Sequence, residues 1–107
     1  MAKFFNITGA SVTAAELTQE LLAPGDDVIV SKVLMTNLNA TTTCKADLYI
    51  EKKLTGTFYL MKNIALPPGT TFVHDEISFS NKADEFGLYI KLTKGASETV
   101  SVDVVLL

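Results

Sequence analysis

The stretch that decides the fold is CKADLYIE, residues 44–51. Apolar side chains at Cys44, Ala46, Leu48 and Ile50 alternate there with a second, mostly polar set. Successive side chains of a β-strand point to opposite faces, so the stretch has one apolar face and one mostly polar face. It therefore predicts a strand with one side against a core and the other toward water.

Two further stretches repeat this alternation, at residues 86–93 and 98–107. Turn-forming residues separate the apolar stretches at intervals of about 8–12 residues, which is typical of sandwiches and small barrels. The sequence therefore predicts an all-β fold, a single antiparallel β-sandwich over residues 1–107 with about seven or eight strands and jelly-roll or immunoglobulin-like topology. The predicted strands cover residues 3–8, 28–36, 44–51, 57–61, 71–74, 77–79, 86–93 and 98–107.

Residues 13–22 fit both a helix and a strand. Thr13 and Glu16 have the spacing of a capping box, and Leu17 and Leu21 follow at helical spacing. Local propensity thus favours a short helix, whereas an extended segment would place Leu17 and Leu21 on one face of a strand. The residues alone leave both alternatives open.

Residues 28–36 are apolar in both phases, with Val28 and Val30 in one and Ile29 and Val33 in the other. A run of this kind is typical of a central strand that is covered on both sides. We therefore expect one continuous, fully covered strand here.

Composition limits the classes of function. The chain has 107 residues, of which 48% are hydrophobic and 20% charged, as in a folded domain with a real core. Its net charge is −3 and Lys52-Lys53 is its one adjacent basic pair, whereas nucleic-acid binding favours clustered cations. No apolar run approaches the ~20 residues that cross a bilayer, and no signal peptide is recognisable. We therefore expect no nucleic-acid or membrane partner, and synthesis in a cytoplasm.

Few residues have side chains that are suited to catalysis or to metal binding. His74 is the only histidine, and we interpret it as a solvated or strand-edge residue because its neighbour Asp75 would point the other way in a strand. Cys44 lies in an apolar phase and is interpreted as a small buried hydrophobe. The acid pairs at 26–27 and 84–85 lack the spacing of a calcium loop and are interpreted as turn residues. The sequence predicts no catalytic residue, no cofactor and no metal site, and hence not an enzyme.

Both ends of the chain are apolar in both phases. Exposed strand ends of this kind promote aggregation unless another surface covers them. The candidate interface residues are Phe4, Phe5, Val105, Leu106 and Leu107. On β-alternation, we expect Val104 and Leu106 to face the core and Val105 and Leu107 to face outward. The alternative is that these ends pair centrally within the domain.

Three tyrosines, Tyr49, Tyr59 and Tyr89, fall in the outward phase of their predicted strands. One interpretation makes them stacking platforms of a sugar-binding, host-recognition module. The other makes them ordinary cross-strand pairs on a half-buried face.

Short motifs follow one another in a fixed order between Leu21 and Leu107. They are Ala23-Pro24-Gly25, Thr36-Asn37, Asp47-Leu48-Tyr49-Ile50, Phe58-Tyr59-Leu60, Ile64-Ala65-Leu66-Pro67-Pro68-Gly69-Thr70-Thr71 and Val100-Ser101-Val102-Asp103-Val104-Val105. A proline-glycine turn, a strand ending in asparagine, an apolar-Pro-x-Gly-Thr turn and a closing Val-Asp-Val strand succeed one another. This order resembles a family of small virion proteins of tailed bacteriophages.

The resemblance implies a β-sandwich accessory component of the particle, with an extended segment before the first proline-glycine turn and no shared catalytic residues. The function expected from it is that of a head decoration (cement) protein, a homotrimer that binds the major capsid protein and is located in the virion. The alternative within the same class is a neck, tail-completion or fibre-attachment module, because a fold does not fix a function.

Overall fold

A computed structural model of the chain describes residues 3–10, 16–25, 28–52, 54–77, 79–80, 86–93 and 99–107. These residues form β-strands and no helix. The strands are β1 (Lys3–Ala10), β2 (Glu16–Leu22), β3 (Ile29–Val30), β4 (Val33–Asn37), β5 (Cys44–Lys52), β6 (Gly56–Leu66), β7 (Thr71–His74), β8 (Phe79–Ser80), β9 (Gly87–Thr93) and β10 (Thr99–Leu106).

The strands form two four-stranded antiparallel sheets and one short pair. Sheet 1 has the order β1-β10-β4-β7, sheet 2 has the order β2-β9-β5-β6, and β3 pairs with β8. The pairs are nested along the chain, because β1 pairs with β10, β2 with β9, β3 with β8, β4 with β7 and β5 with β6. The chain thus forms one long antiparallel hairpin. The hairpin is rolled up, so that its successive strand pairs are divided between the two sheets. This is the jelly-roll form of the predicted β-sandwich.

The core lies between the inner faces of the two sheets. From β10 it receives Val100, Val102, Val104 and Leu106, each at most 1% exposed, which confirms the predicted phase of this strand. Sheet 2 contributes buried residues in the same alternating way, and they include Leu48, Leu88, Ile90 and Leu92.

The expectation of one continuous strand over residues 28–36 is wrong. Ile29 and Val30 pair with β8, whereas β4 begins at Val33 and enters sheet 1 between β10 and β7. Ser31 and Lys32 separate the two strands because their backbone N–H groups donate to the Leu107 carbonyl oxygen at 2.8 and 3.1 Å. Ile29 is 67% exposed, so the first half of the run is not covered on both sides.

Residues 16–22 form the strand β2 and not a helix. Leu17 lies opposite Leu92 and Glu20 opposite Tyr89, so β9 supplies the hydrogen-bonding partner. A bulge between Glu20 and Leu22 lets the adjacent Leu21 and Leu22 both be buried. Pairing with a distant strand thus outweighs the local helix propensity. Residues 13–15 of the capping-box pattern lie outside the described residues.

Asn37, at the end of β4, joins the turn that follows β6. Its side-chain amide donates to the carbonyl oxygens of Leu66 at 2.8 Å and Thr42 at 2.9 Å. The backbone carbonyl oxygen of Asn37 accepts from the Gly69 backbone N–H at 2.9 Å, and the backbone N–H of Asn37 donates to the Thr70 carbonyl oxygen at 3.0 Å. The φ of Gly69 is 71°, a conformation that favours glycine. Two of the short sequence motifs, Thr36-Asn37 and the segment 64–71, therefore form one junction.

Candidate functional site

The outer face of sheet 1 carries a continuous apolar row. Phe4 lies opposite Val105, which lies opposite Leu34 on its other side. Leu34 in turn lies opposite Val73 on the edge strand β7. Directly opposed residues of antiparallel strands share a face, so the four side chains line up across the whole sheet. We call Phe4, Val105, Leu34 and Val73 the apolar row.

The two ends of the apolar row are its most exposed parts. Phe4 is 74% exposed and Val73 46%, while Val105 and Leu34 are half-buried. An open depression of about 270 Å³ lies at the β1 end, lined by Phe4, Phe5, Asn6, Asp103, Val104 and Val105. Large apolar side chains exposed in a contiguous strip are typical of a contact surface.

The next row along the same face is polar. The Asn6 side-chain amide donates to Asp103 Oδ1 at 2.6 Å, and the hydroxyl oxygens of Thr36 and Thr71 lie 2.8 Å apart. This row satisfies much of its own hydrogen bonding, as expected of a solvated sheet face. The outer face of sheet 1 therefore has an apolar half and a polar half, which resembles the core and rim of a protein interface.

The five predicted interface residues do not share one face. Phe4 and Val105 belong to the apolar row, and Leu107 is 43% exposed. Phe5 packs against the core and Leu106 lies within it, because alternation along a strand turns every second side chain inward. The side chain of Leu106 thus lies in the core, as the alternation predicts, and that of Phe5 packs against the core, while the side chains of the other three lie on the surface.

Leu34 and Val73 belong to this surface but are not identified by the sequence. Each is an isolated apolar residue in the outer phase of a short strand. The only local signal is the buried pair Val33 and Met35 on either side of Leu34, which places Leu34 in the opposite phase. Only the register across β10, β4 and β7 aligns the row.

The outer face of sheet 2 carries the three tyrosines of the chain side by side. Tyr49 lies opposite Tyr59 on one side and Tyr89 on the other. The ring centroids of Tyr49 and Tyr59 are 5.4 Å apart, and those of Tyr49 and Tyr89 are 5.5 Å apart with the rings stacked at 18°. The predicted outward phase and cross-strand pairing are confirmed. We call these residues the tyrosine row.

The Tyr89 ring lies along its own strand, over Gly87. A Cβ atom built on Gly87 would stand 2.7 to 2.9 Å from the Oη, Cε1 and Cζ atoms of Tyr89. A contact that short forces one of the two groups to move. A glycine at position 87 is therefore what allows the ring to lie down on the strand.

Asp47 is in the outer phase of β5, yet its side chain is buried. Its Oδ1 accepts from the Asn63 backbone N–H at 2.7 Å, and its Oδ2 lies 3.5 Å from Lys62 Nζ and 3.8 Å from Lys91 Nζ. Asn63 has a φ of 53° beside an irregularity in the pairing of β5 with β6, so the carboxylate holds the backbone of a bulge. Lys62 also lies 4.2 Å from the centroid of the Tyr59 ring, a cation–π geometry. Asp47 thus positions a lysine against the tyrosine row.

Two of the phenols are shifted in the same direction. Burial raises the pKa of Tyr49, and the negative charge of Glu51 adds to the effect. Burial also raises the pKa of Tyr89, and the negative charge of the nearby Glu20 adds to the effect. Both hydroxyls therefore remain neutral donors far above physiological pH.

The reactive residue types do not converge on one site. Cys44 is buried, and burial raises the pKa of its thiol, as expected of a small core residue. His74 is half-buried on the edge strand β7, opposite Val33. In the described part of the chain no three His, Cys, Asp or Glu side chains are grouped to hold a metal ion. The acid pairs at 26–27 and 84–85 lie outside that part.

A search of the described residues for membrane-spanning helices finds none that is long and apolar enough. No protein-family model matches the chain, and no curated protein sequence matches it.

Solved structures give distant matches. The chain is similar to PirA, with a TM-score of 0.63, 11% identity and coverage of 97% of this chain and 93% of that chain. It is similar to the Yersinia pseudotuberculosis-derived mitogen, with a TM-score of 0.62, 10% identity and coverage of 99% and 86%. It is also similar to a chain of the Gx strain of infectious bursal disease virus, with a TM-score of 0.51 and 17% identity, all of this chain matching 32% of the viral one. At these identities the likeness establishes the antiparallel β-sandwich fold, which a virus chain shares.

Proposed function

We propose that the chain is a non-enzymatic structural protein of a tailed-phage virion, which docks on a neighbouring virion protein through the apolar row. The most direct form of this function is a head decoration protein bound to the major capsid protein. The observation that carries the proposal is the alignment of Phe4, Val105, Leu34 and Val73 across all four strands of sheet 1.

The apolar row lies outside the core of the fold. The core is already filled by the opposite phase of the same strands, such as Val104 beside Val105 and Val33 beside Leu34. Burying an exposed Val or Leu side chain fully stabilises by about 1.5–3 kcal/mol, so a partner that covers the row gains appreciable free energy. In a particle with many copies, simultaneous attachment adds to the strength of each weak contact.

Two further observations support a virion protein. The asparagine-ended strand and the apolar-Pro-x-Gly-Thr turn, which carry the resemblance to small phage virion proteins, meet at the hydrogen bonds of Asn37 with Leu66 and Gly69. The fold is also one that a chain of infectious bursal disease virus shares.

The assembly we favour is a closed homotrimer. A closed symmetric oligomer covers apolar strand ends without leaving a free edge for further growth. Phe4 and Val73 lie on β1 and β7, the two edge strands of sheet 1, so neighbouring copies can cover these two ends while Val105 and Leu34 at the centre face the virion partner.

The test compares Val105→Asp with Thr71→Asp in particles made from the genome that encodes the chain. Both variants add one carboxylate to the outer face of sheet 1, but Thr71 lies in the polar half. We expect both proteins to fold, as judged by circular dichroism, and only Val105→Asp to be lost from purified particles, as measured by quantitative mass spectrometry. A wild-type copy number comparable to that of the major capsid protein supports decoration, whereas a far smaller number favours the neck or tail.

Two outcomes contradict the proposal. If Val105→Asp is incorporated as well as Thr71→Asp, the apolar row is not the docking surface. If the wild-type chain is absent from purified particles, it is not a virion protein.

A further inference from the structure

The tyrosine row lies on the outer face of sheet 2, on the side of the sandwich away from the apolar row, and docking through sheet 1 does not use it. The core does not need it either, because Leu48, Leu88 and Ile90 fill the inner phase of the same strands. Tyr59 is 47% exposed, and no described residue from outside sheet 2 contacts any of the three rings in a ring or cation–π interaction. Cross-strand aromatic pairs stabilise a sheet, and the orientation of the Tyr89 ring points to a further role.

Gly87 indicates that the orientation of one ring matters. Gly87 is the first residue of β9, and glycine in a strand can mark a position where another group approaches closely. Here the approaching group is the Tyr89 ring itself, since any Cβ at position 87 would collide with it. A ring that lies along the strand presents a face outward, whereas a ring that stands upright presents an edge. The contact with Gly87 thus favours a flat platform at Tyr89, and the Tyr49 ring lies nearly parallel to it, at 18°.

We propose that the tyrosine row is a binding platform for a short glycan of pyranose units. A pyranose ring has a face of C–H groups whose partial positive charge is attracted to the negative face of an aromatic ring. The three centroids are spaced by 5.4 and 5.5 Å, so the row offers stacking positions at intervals close to the length of one sugar unit.

The groups around the row suit sugar hydroxyls. Glu20 flanks Tyr89, Glu51 flanks Tyr49, and Lys62 lies against Tyr59. Carboxylates accept and ammonium groups donate hydrogen bonds, so hydroxyls at the edge of a stacked sugar find partners of both kinds. This combination of a few apolar ring faces and convergent polar groups is typical of a site for a small polar ligand.

A single-stranded nucleic acid would also stack on tyrosines, but its backbone requires a positively charged groove. Here Lys62 and Lys91 are already paired with Asp47, and Glu20 and Glu51 add negative charge beside the rings. The charge of the face therefore favours a glycan over a polyanion.

The test uses the full chain on an array of immobilised neutral and acidic oligosaccharides, followed by solution titration with the strongest-binding one. The chain has three tyrosines and no tryptophan, so its intrinsic fluorescence arises from the tyrosine row alone. We expect glycan binding that changes this fluorescence and that weakens at least tenfold in Tyr49→Ala. Tyr49→Phe keeps the ring and controls for loss of fold. Val105→Asp, on the other sheet, should bind like the wild type.

Gly87→Ala provides a test that removes no group from the platform. It should weaken binding by displacing the Tyr89 ring, and Leu107→Ser serves as its surface control. The proposal is overturned if no array glycan binds, if binding is equal in Tyr49→Ala and the wild type, or if an oligothymidylate binds more tightly than any glycan. Because these assays need no particle, they give their answer whether or not the chain is found in a virion.

Discussion

Leu106 and Leu107 are adjacent in the chain, but the side chain of Leu106 is 1% exposed in the core and that of Leu107 is 43% exposed. The backbone of Leu107 is nevertheless fixed, because its carbonyl oxygen accepts from Ser31 and Lys32 and its N–H donates to the Lys32 carbonyl oxygen at 2.9 Å. Leu106 therefore stabilises the fold through its side chain, and Leu107 through its backbone. Only the Leu107 side chain remains for contact with a partner.

Leu106→Ala should destabilise the domain by about 2–5 kcal/mol, because it leaves a cavity in the core. Leu107→Ser keeps the backbone hydrogen bonds and should change the free energy of unfolding by no more than about 0.5 kcal/mol. Denaturant unfolding of the two purified variants measures both values. Equal effects would mean that the two side chains are not on opposite sides of the sheet. Removal of both residues should be at least as damaging as Leu106→Ala, so it is a poor test of an interface.

Asn37→Asp should destabilise the fold by about 1–4 kcal/mol, because the buried Leu66 carbonyl oxygen loses its donor at about 1–3 kcal/mol and the part-buried Thr42 carbonyl oxygen loses its donor at a smaller cost. Asn39→Asp is the matched control, since Asn39 uses its Oδ1 to accept from the backbone N–H groups of Thr41 and Thr42 and a carboxylate keeps that role. At neutral pH, Asn37→Asp should have a much lower melting temperature and a much smaller free energy of unfolding than Asn39→Asp. The gap should narrow in acid, where a protonated carboxyl regains one donor. A gap that does not depend on pH would contradict this explanation.

The sequence predicts a strand well where its own alternation is complete. The strand predicted at 44–51 is observed as β5, Cys44–Lys52, and the strand predicted at 86–93 is observed as β9, Gly87–Thr93. It fails where a partner far away in the chain decides the outcome. Leu107 breaks the run at 28–36. For residues 16–22 the local pattern leaves helix and strand open, and pairing with β9 makes them the extended segment that the resemblance implies.

The candidate sites, like the strands, can be predicted from the sequence only in part. The outward phase of Val105 and Tyr49 follows from alternation alone. Their alignment into rows follows from the register of strands that are nested far apart in sequence, and register is not a local property. The burial of Asp47 depends on a bulge in the opposing strand, which its own stretch of sequence does not reveal.

Asp47→Ala should destabilise the domain by about 1–3 kcal/mol, because the Asn63 backbone N–H loses its acceptor. Asp47→Asn keeps an acceptor at Oδ1 and should cost less, although it removes the pairing with Lys62 and Lys91. Denaturant unfolding ranks the three proteins, and tyrosine fluorescence should change in both variants as Lys62 leaves the Tyr59 ring. If Asp47→Asn is as unstable as Asp47→Ala, the pairing with the two lysines, and not the bulge hydrogen bond, dominates the effect.

Tyr49 and Tyr89 should ionise above the ordinary tyrosine value near 10, because burial and then the nearby carboxylates raise the pKa of each phenol. The unfolded chain then releases these protons first as the pH rises. The stabilisation that this difference provides is complete below pH about 10 and is lost as the pH rises through the folded-state values. Ultraviolet titration of the folded protein, with Tyr49→Phe and Tyr89→Phe to assign the signals, measures the ionisation directly. Glu20→Gln should lower the pKa of Tyr89 and leave Tyr49 nearly unchanged, whereas Glu51→Gln should lower both. If folded and denatured chains ionise these two phenols at the same pH, the rings are not packed as the structure has them.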